Sequence, residues 1–212
     1  MEYKIEVKDL NLTINSHEIL KNINLNIESG KIYGFIGRNG SGKSMLLKCI
    51  CGLLKPNTGS VIVNNEDIYK KDVFPSSMRA FIDKPTFIGS LTGYENLELL
   101  ADIQNIIDDE KIKDTLIKCD LEDQINKKYG KYSLGMKQKL AIASVLMENP
   151  DIMIFDEPFN GIDNKSVEMI RKIILEEKQQ GKTILIATHI KEDIDLLCDV
   201  IYELDLGQII GK

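Results

Sequence analysis

Apolar and polar positions alternate along the opening of the chain. Tyr3, Ile5 and Val7, then Leu10, Leu12 and Ile14, do so loosely, while Ile23, Leu25 and Ile27 alternate strictly with Asn24 and Asn26. A period of two marks a strand with one buried face. Val61-Ile62-Val63 runs into Asn64-Asn65, a further strand and a turn, so these segments together predict an antiparallel sheet. Between them, Ile32-Tyr33-Gly34-Phe35-Ile36 is almost continuously apolar and reads as a buried strand. Leu46, Leu47 and Ile50 then fall at helical spacing, and Pro56 and Gly59 predict the end of that helical region.

From Leu91 to Tyr129 the period becomes helical. Thr92-Gly93-Tyr94-Glu95 has capping-box spacing, and Leu97, Leu100, Ile103 and Ile107 follow at three or four residues. After the acidic turn Asp108-Asp109-Glu110, the stripe resumes with Ile112, Leu116, Ile117 and Leu121. Core packing is the expected fate of these apolar residues. Ser133 predicts the cap of another helix, with Leu140, Ile142, Val145 and Leu146 as apolar positions and Asn149-Pro150 as its stop. Two more buried strands follow, Ile152–Phe155 and Thr183–Thr188. Between them lies a helix that uses Val167, Ile170 and Ile174, capped by Asp163 or Asn164 and stopped near Gly181. A short helix from Glu192 to Cys198 and a hairpin at Gly207 complete the pattern. Strands alternating with helices predict an α/β core, with a helical insert over about residues 91–149.

Composition narrows the class. At 212 residues, 43% hydrophobic and 28% charged, the chain has enough apolar material for one large domain or a domain with a subdomain. A net charge of −6 argues against a general nucleic-acid or anionic-membrane surface. No apolar run approaches the roughly 18 residues of a membrane span, and the start lacks the pattern of a signal peptide. Cys49, Cys51, Cys119 and Cys198 form no C-x-x-C pair, and with two histidines in the chain a His/Cys metal site is not expected. Small buried thiols in a reducing cytosol are expected instead.

The strongest chemical signal is Gly37-Arg38-Asn39-Gly40-Ser41-Gly42-Lys43-Ser44, which matches the phosphate-binding loop G-x-x-x-x-G-K-[ST]. The strand before it and the helix after it are the context that pattern requires. Its glycines let backbone N–H groups close around phosphate oxygens, and the helix start adds free donors and a positive dipole end. Lys43 supplies a charge for the β- and γ-phosphates and Ser44 a hydroxyl for Mg²⁺. A second signal is the apolar strand Ile152–Phe155, which delivers Asp156 and Glu157 to its C-terminal end, where ligands sit in an open α/β sheet. Strand alternation would turn the two acids to opposite faces and give them different tasks. Another buried strand ends in His189, whereas His17 lies in a polar stretch and reads as surface.

With these pieces in order, the chain resembles the nucleotide-binding subunit of an ABC transporter over essentially its whole length. Ser133-Leu134-Gly135-Met136-Lys137-Gln138 resembles the ABC signature, Asp156-Glu157 the Walker B acids, Asn160-Gly161-Ile162-Asp163 the D-loop, and Thr188-His189 the switch histidine. The resemblance implies a P-loop NTPase fold of the ABC ATPase type. Its mixed sheet core would carry an antiparallel β-subdomain and a helical signature subdomain, all in one domain over residues 1–212.

ATP and Mg²⁺ are the implied cofactors. Gly37, Arg38, Asn39, Gly40, Ser41, Gly42, Lys43, Ser44 and Met45 would bind nucleotide, with Ile14 at the base. Ser44, Asp156 and Asp83 would serve the metal, and Glu157, His189 and Lys43 catalysis. Ser133, Leu134, Gly135 and Met136 would meet the ATP held by a second subunit. The implied partners are that second ATP-binding subunit and a separate transmembrane permease, with no nucleic acid and no direct membrane insertion. The implied location is cytoplasmic, peripheral on the inner face of the cell membrane. The Ser-Leu-Gly-Met-Lys-Gln form is similar to that of bacterial export-type subunits, including those for peptide antibiotics.

The chain departs from the family at four places: Leu134 for the first signature glycine, Met136 for its glutamine, Asp83 for the Q-loop glutamine, and Ile14 for the aromatic that stacks on adenine. Soluble ABC ATPases of translation or DNA repair are the second reading, disfavoured because two cassettes or a long coiled-coil insertion are lacking. A P-loop small-molecule kinase is the third, disfavoured by the signature stretch and the switch histidine.

Overall fold

The computed structural model describes residues 3–72, 74–83 and 86–211; the side chain of Tyr3, and Lys84 and Pro85 beside Asp83, lie outside the described residues. Two sheets organise the chain. The first is antiparallel, in the order β2-β1-β4-β5, from β1 (Tyr3–Ile14), β2 (His17–Glu28), β4 (Thr58–Val63) and β5 (Glu66–Asp67). Asn64 and Asn65, both at positive φ, make the tight turn between β4 and β5. The second sheet runs β10-β9-β3-β8-β7-β6, from β3 (Ile32–Ile36), β6 (Met78–Phe81), β7 (Ile152–Asp156), β8 (Thr183–Thr188), β9 (Val200–Asp205) and β10 (Gln208–Gly211). It is parallel except where β10 pairs with β9.

The continuous apolar runs of β3, β7 and β8 follow from burial on both faces. Ile32, Met153, Phe155, Ile184 and Ile186 point into one core. Tyr33, Phe35, Ile152, Ile154, Leu185 and Ala187 point into the other. That second core is closed by the antiparallel sheet and by helix α1 (Lys43–Ile50), the helix that follows the glycine loop. Helix α1 stops earlier than Pro56 and Gly59 predicted. Its cap is Cys51, and Gly52 (φ +84) takes the left-handed turn that ends it.

A four-residue helix α2 (Ile68–Lys71) precedes β6, and the first core continues into α3 (Gly93–Gln104), α4 (Asp109–Lys118) and α5 (Leu134–Leu146). Both hydrogen bonds of the Thr92–Glu95 capping box form. The expectation that the whole apolar stripe packs inward is corrected here. Leu97, Ala101, Ile112 and Leu116 are buried, but Leu100, Ile103 and Ile117 are exposed, Ile103 at 76%. Helices α3 and α4 are covered on one side, so an i, i+4 pair on each suffices and the flanking apolar residues face outward. Helix α5 is enclosed over most of its length, with Leu140 to Ala143 all buried. Helices α6 (Asn164–Gln179) and α7 (Lys191–Leu197) complete the chain, α6 capped by Asp163. Cys49, Cys51 and Cys119 are buried, and burial pushes the Cys49 and Cys119 thiols up to about 12.

Candidate active site

Strand β3, held between β8 and β9, feeds Ile36 into the glycine loop at the C-terminal edge of the parallel sheet. The loop needs its glycines for two reasons. A Cβ on Gly37 would lie 2.3 Å from the Leu204 carbonyl oxygen, and Gly42 has φ +107. No side chain caps α1 and no acid sits in its first turn, so the helix start keeps its donors and positive end for an anion. Lys43 is buried, and its ammonium donates to the Gly37 carbonyl at 2.7 Å and the Arg38 carbonyl at 3.2 Å. The cation thus sits inside the loop whose donors would face phosphate. Arg38, Asn39 and Gly40 are exposed at the rim, and Met45 is half-buried against the core below.

Strand β7 ends at Asp156, and Glu157 leaves it with φ +51. Opposite faces of a strand therefore do not separate the two acids. The chain turns left-handed at Glu157 instead, and both residues line one cavity of about 380 Å³ that Ser44, Asp83, Leu134 and Gln138 also line. Burial pushes the Asp156 carboxyl above its ordinary range. The nearby Ser44 hydroxyl and Asp83 N–H pull it down, and the Glu157 and Asp83 charges raise it again. Asp156 Oδ1 is buried without a hydrogen-bond partner. An orphaned carboxylate oxygen beside a serine hydroxyl fits Mg²⁺, a hard cation bound through one or two carboxylates together with substrate phosphates.

Glu157 is held from the next strand. Thr188 Oγ1 donates to its Oε2 at 3.2 Å, and His189 Nδ1 lies 3.0 and 2.9 Å from its two carboxylate oxygens. With Nδ1 facing a carboxylate, the ring proton belongs on Nδ1, which leaves Nε2 for another partner. His17 is exposed, as expected for surface. Asp83, placed by sequence at the metal, sits in the cavity and pairs with Lys48 of α1 at 2.6 Å, so a counter-ion balances its charge.

In the signature stretch, the Ser133 hydroxyl accepts from the Met136 N–H and caps α5. Leu134 is 52% exposed and lies over Gly161, where a Cβ would approach its Cδ2 to 2.8 Å. Gly135 and Met136 are half-buried beside it. Sequence reasoning missed Gln138. It is buried, and its amide donates to the carbonyls of Glu157 and Pro158 at 3.1 and 2.9 Å. Its position one turn into a capped helix carried no local signal of that contact. The pairing of Lys48 with Asp83 was likewise invisible.

Ile14 is half-buried and pairs in register with His17 at the end of the β1–β2 hairpin. The hairpin flanks the glycine loop, since a Cβ on Gly42 would meet Leu20 Cδ2 at 2.9 Å. Isoleucine gives a base apolar contact but no π-face, and aromatic stacking is worth about 1–3 kcal/mol per base. Ile14→Tyr is therefore expected to bind ATP several-fold more tightly, and wild type is expected to bind ATP and GTP alike. Parallel titrations with both nucleotides under saturating Mg²⁺ check this. A strong ATP preference in wild type with no gain in the variant would place the stacking group elsewhere.

A family model described as ABC transporter matches residues 20–160. The ABC transporter ATP-binding protein YybJ of Bacillus subtilis (strain 168) is 41% identical over 205 residues, covering 97% of this chain and 94% of that protein. The bacitracin transport ATP-binding protein BcrA of Enterococcus faecalis is 35% identical over 215 residues, covering 100% of this chain and 70% of BcrA. Among solved structures, an ATP-binding cassette captured as a dimer in a post-hydrolysis state with ADP and Pi matches with a TM-score of 0.88 at 27% identity, covering 98% of this chain and 97% of that one.

Proposed function

This chain belongs to the ABC transporter family as one of its ATP-binding subunits, and from that premise we propose how its residues divide the work. The chain is one ABC ATPase domain over residues 1–212, with about 91–149 as its helical insert. It hydrolyses ATP to drive a separate permease that exports a peptide antibiotic or a related compound. The bacitracin transport relative supports that substrate class. Lys43 and the loop from Gly37 to Met45 hold the phosphates. Ser44 and Asp156, with Asp83 at the rim, would hold Mg²⁺, which when bound neutralises phosphate charge. Glu157 takes the proton of the attacking water, and His189 holds Glu157 through Nδ1–H; with Nε2 protonated as well, the ring donates a second hydrogen bond to the γ-phosphate. The single observation that carries this reading is the convergence of Ser44, Asp156, Glu157 and Leu134 on one cavity.

Two chains act together, each offering Ser133 to Met136 to the nucleotide of the other. Among the described residues no helix is long and apolar enough to cross a membrane. The proposed location is the inner face of the cell membrane, reached through the permease, as the transport relatives suggest. A groove of about 470 Å³ lined by Leu53, Phe74, Met78 and Gln104 is the proposed permease contact, and Ile103 stands exposed beside Gln104.

The pairing is tested with Ser133→Arg in a Glu157→Gln background. A large cation at the signature is expected to leave ATP binding by the single chain intact and to abolish the ATP-dependent dimer on size-exclusion chromatography. An undiminished dimer peak would count against the trans contact.

A further inference from the structure

We propose that Gln138 is a positioning residue for Glu157. This inference rests on the reading of Glu157 as the group that acts on water. Glu157 is a non-glycine residue at φ +51, a backbone state that L-residues adopt at a cost and keep where surrounding contacts impose it. Three contacts impose it here. The Glu157 N–H donates to the Ala187 carbonyl at 2.8 Å, which fixes the strand side of the turn. On the other side, the two hydrogens of the Gln138 amide serve the carbonyls of Glu157 and Pro158. Rotation of the Glu157 backbone out of the left-handed state would swing its carbonyl away from the amide and carry the carboxylate away from Thr188 and His189.

Gln138 has a second property that the Ala187 contact lacks. It lies on α5, the helix that Ser133 caps and whose first turn is the signature stretch. With the signature facing the partner's nucleotide as proposed above, one helix would meet that nucleotide at its start and holds the turn of its own Glu157 one turn later. A shift of α5 on meeting the partner moves the amide against the two carbonyls and re-aims Glu157. Readiness for hydrolysis at one site is thereby coupled to signature engagement at the other, through residues of the same helix.

The test is a double-mutant cycle between Gln138→Met and Glu157→Gln. Methionine keeps the length and packing of the side chain and removes the donors; Gln138→Asn, which keeps the amide but withdraws it by one methylene, is the second variant. A displacement of about 1 Å at a catalytic group costs up to about 100-fold, and both variants are expected to lower kcat by about 10-fold. KM and ATP affinity should stay within about twofold. In the Glu157→Gln background, Gln138→Met should lower the residual turnover no further, because the group it aims is already disabled. Unchanged kcat in both variants would overturn the proposal. So would an equal loss in the Glu157→Gln background, which would mark Gln138 as a general structural residue. If Glu157→Gln alone retained wild-type turnover, the assignment of Glu157 would fail first, and that result is separate from either outcome.

Discussion

Glu157→Gln is expected to lower steady-state ATP hydrolysis by about 100-fold or more, the usual worth of a general base, while ATP continues to bind. The substitution keeps the size of the side chain and removes only its capacity to accept a proton. The proposed phosphate site is built elsewhere, from the N–H groups of the glycine loop and the Lys43 ammonium. The carboxylate that is lost lies between Thr188 Oγ1 and His189 Nδ1, at the end of the strand beside the one that carries Asp156. With binding intact and hydrolysis blocked, the two-chain state that holds ATP should accumulate as a dimer. Phosphate release, nucleotide titration and size-exclusion chromatography read the three consequences separately. Turnover equal to wild type would remove Glu157 from the mechanism.

The second large effect is on binding. Lys43→Ala should weaken ATP affinity by about 10- to 100-fold, because a hydrogen bond to a charged group is worth about 1.5–3 kcal/mol and each 1.4 kcal/mol is a decade. Two losses contribute. The phosphates lose a buried cation, and the loop loses the ammonium that bridges the Gly37 and Arg38 carbonyls. Turnover falls with binding, so the discriminating measurement is calorimetric titration with ATP and with ADP. ADP retains the β-phosphate, so its affinity should fall too, by less than that of ATP. A titration indistinguishable from wild type would defeat the phosphate-loop reading.

Periodicity and composition were enough to identify most elements. Ile23, Leu25 and Ile27 bury one face of β2, and β3, β7 and β8 are the continuous apolar strands of the parallel sheet. Thr92, Ser133 and Asp163 cap the helices they were expected to cap. These features depend on neighbours within a few residues, and a chain read locally contains that information. The glycine loop was legible for the same reason: its spacing is a local requirement of backbone closing around phosphate.

Elsewhere the tertiary structure decided. The period of α3 and α4 marks an apolar stripe without saying how wide the covering surface is, and packing on one side leaves Leu100, Ile103 and Ile117 exposed. Strand alternation placed Asp156 and Glu157 on opposite faces, but the strand ends between them and the left-handed turn brings both into one cavity. Lys48 meets Asp83, Gln138 meets Glu157 and Pro158, and His189 meets Glu157 only after separate elements assemble. Local pattern reports which face of an element is apolar, because burial follows the helix or strand period. Which polar groups satisfy one another depends on how elements far apart in the chain come to rest together, and no period along the sequence encodes that.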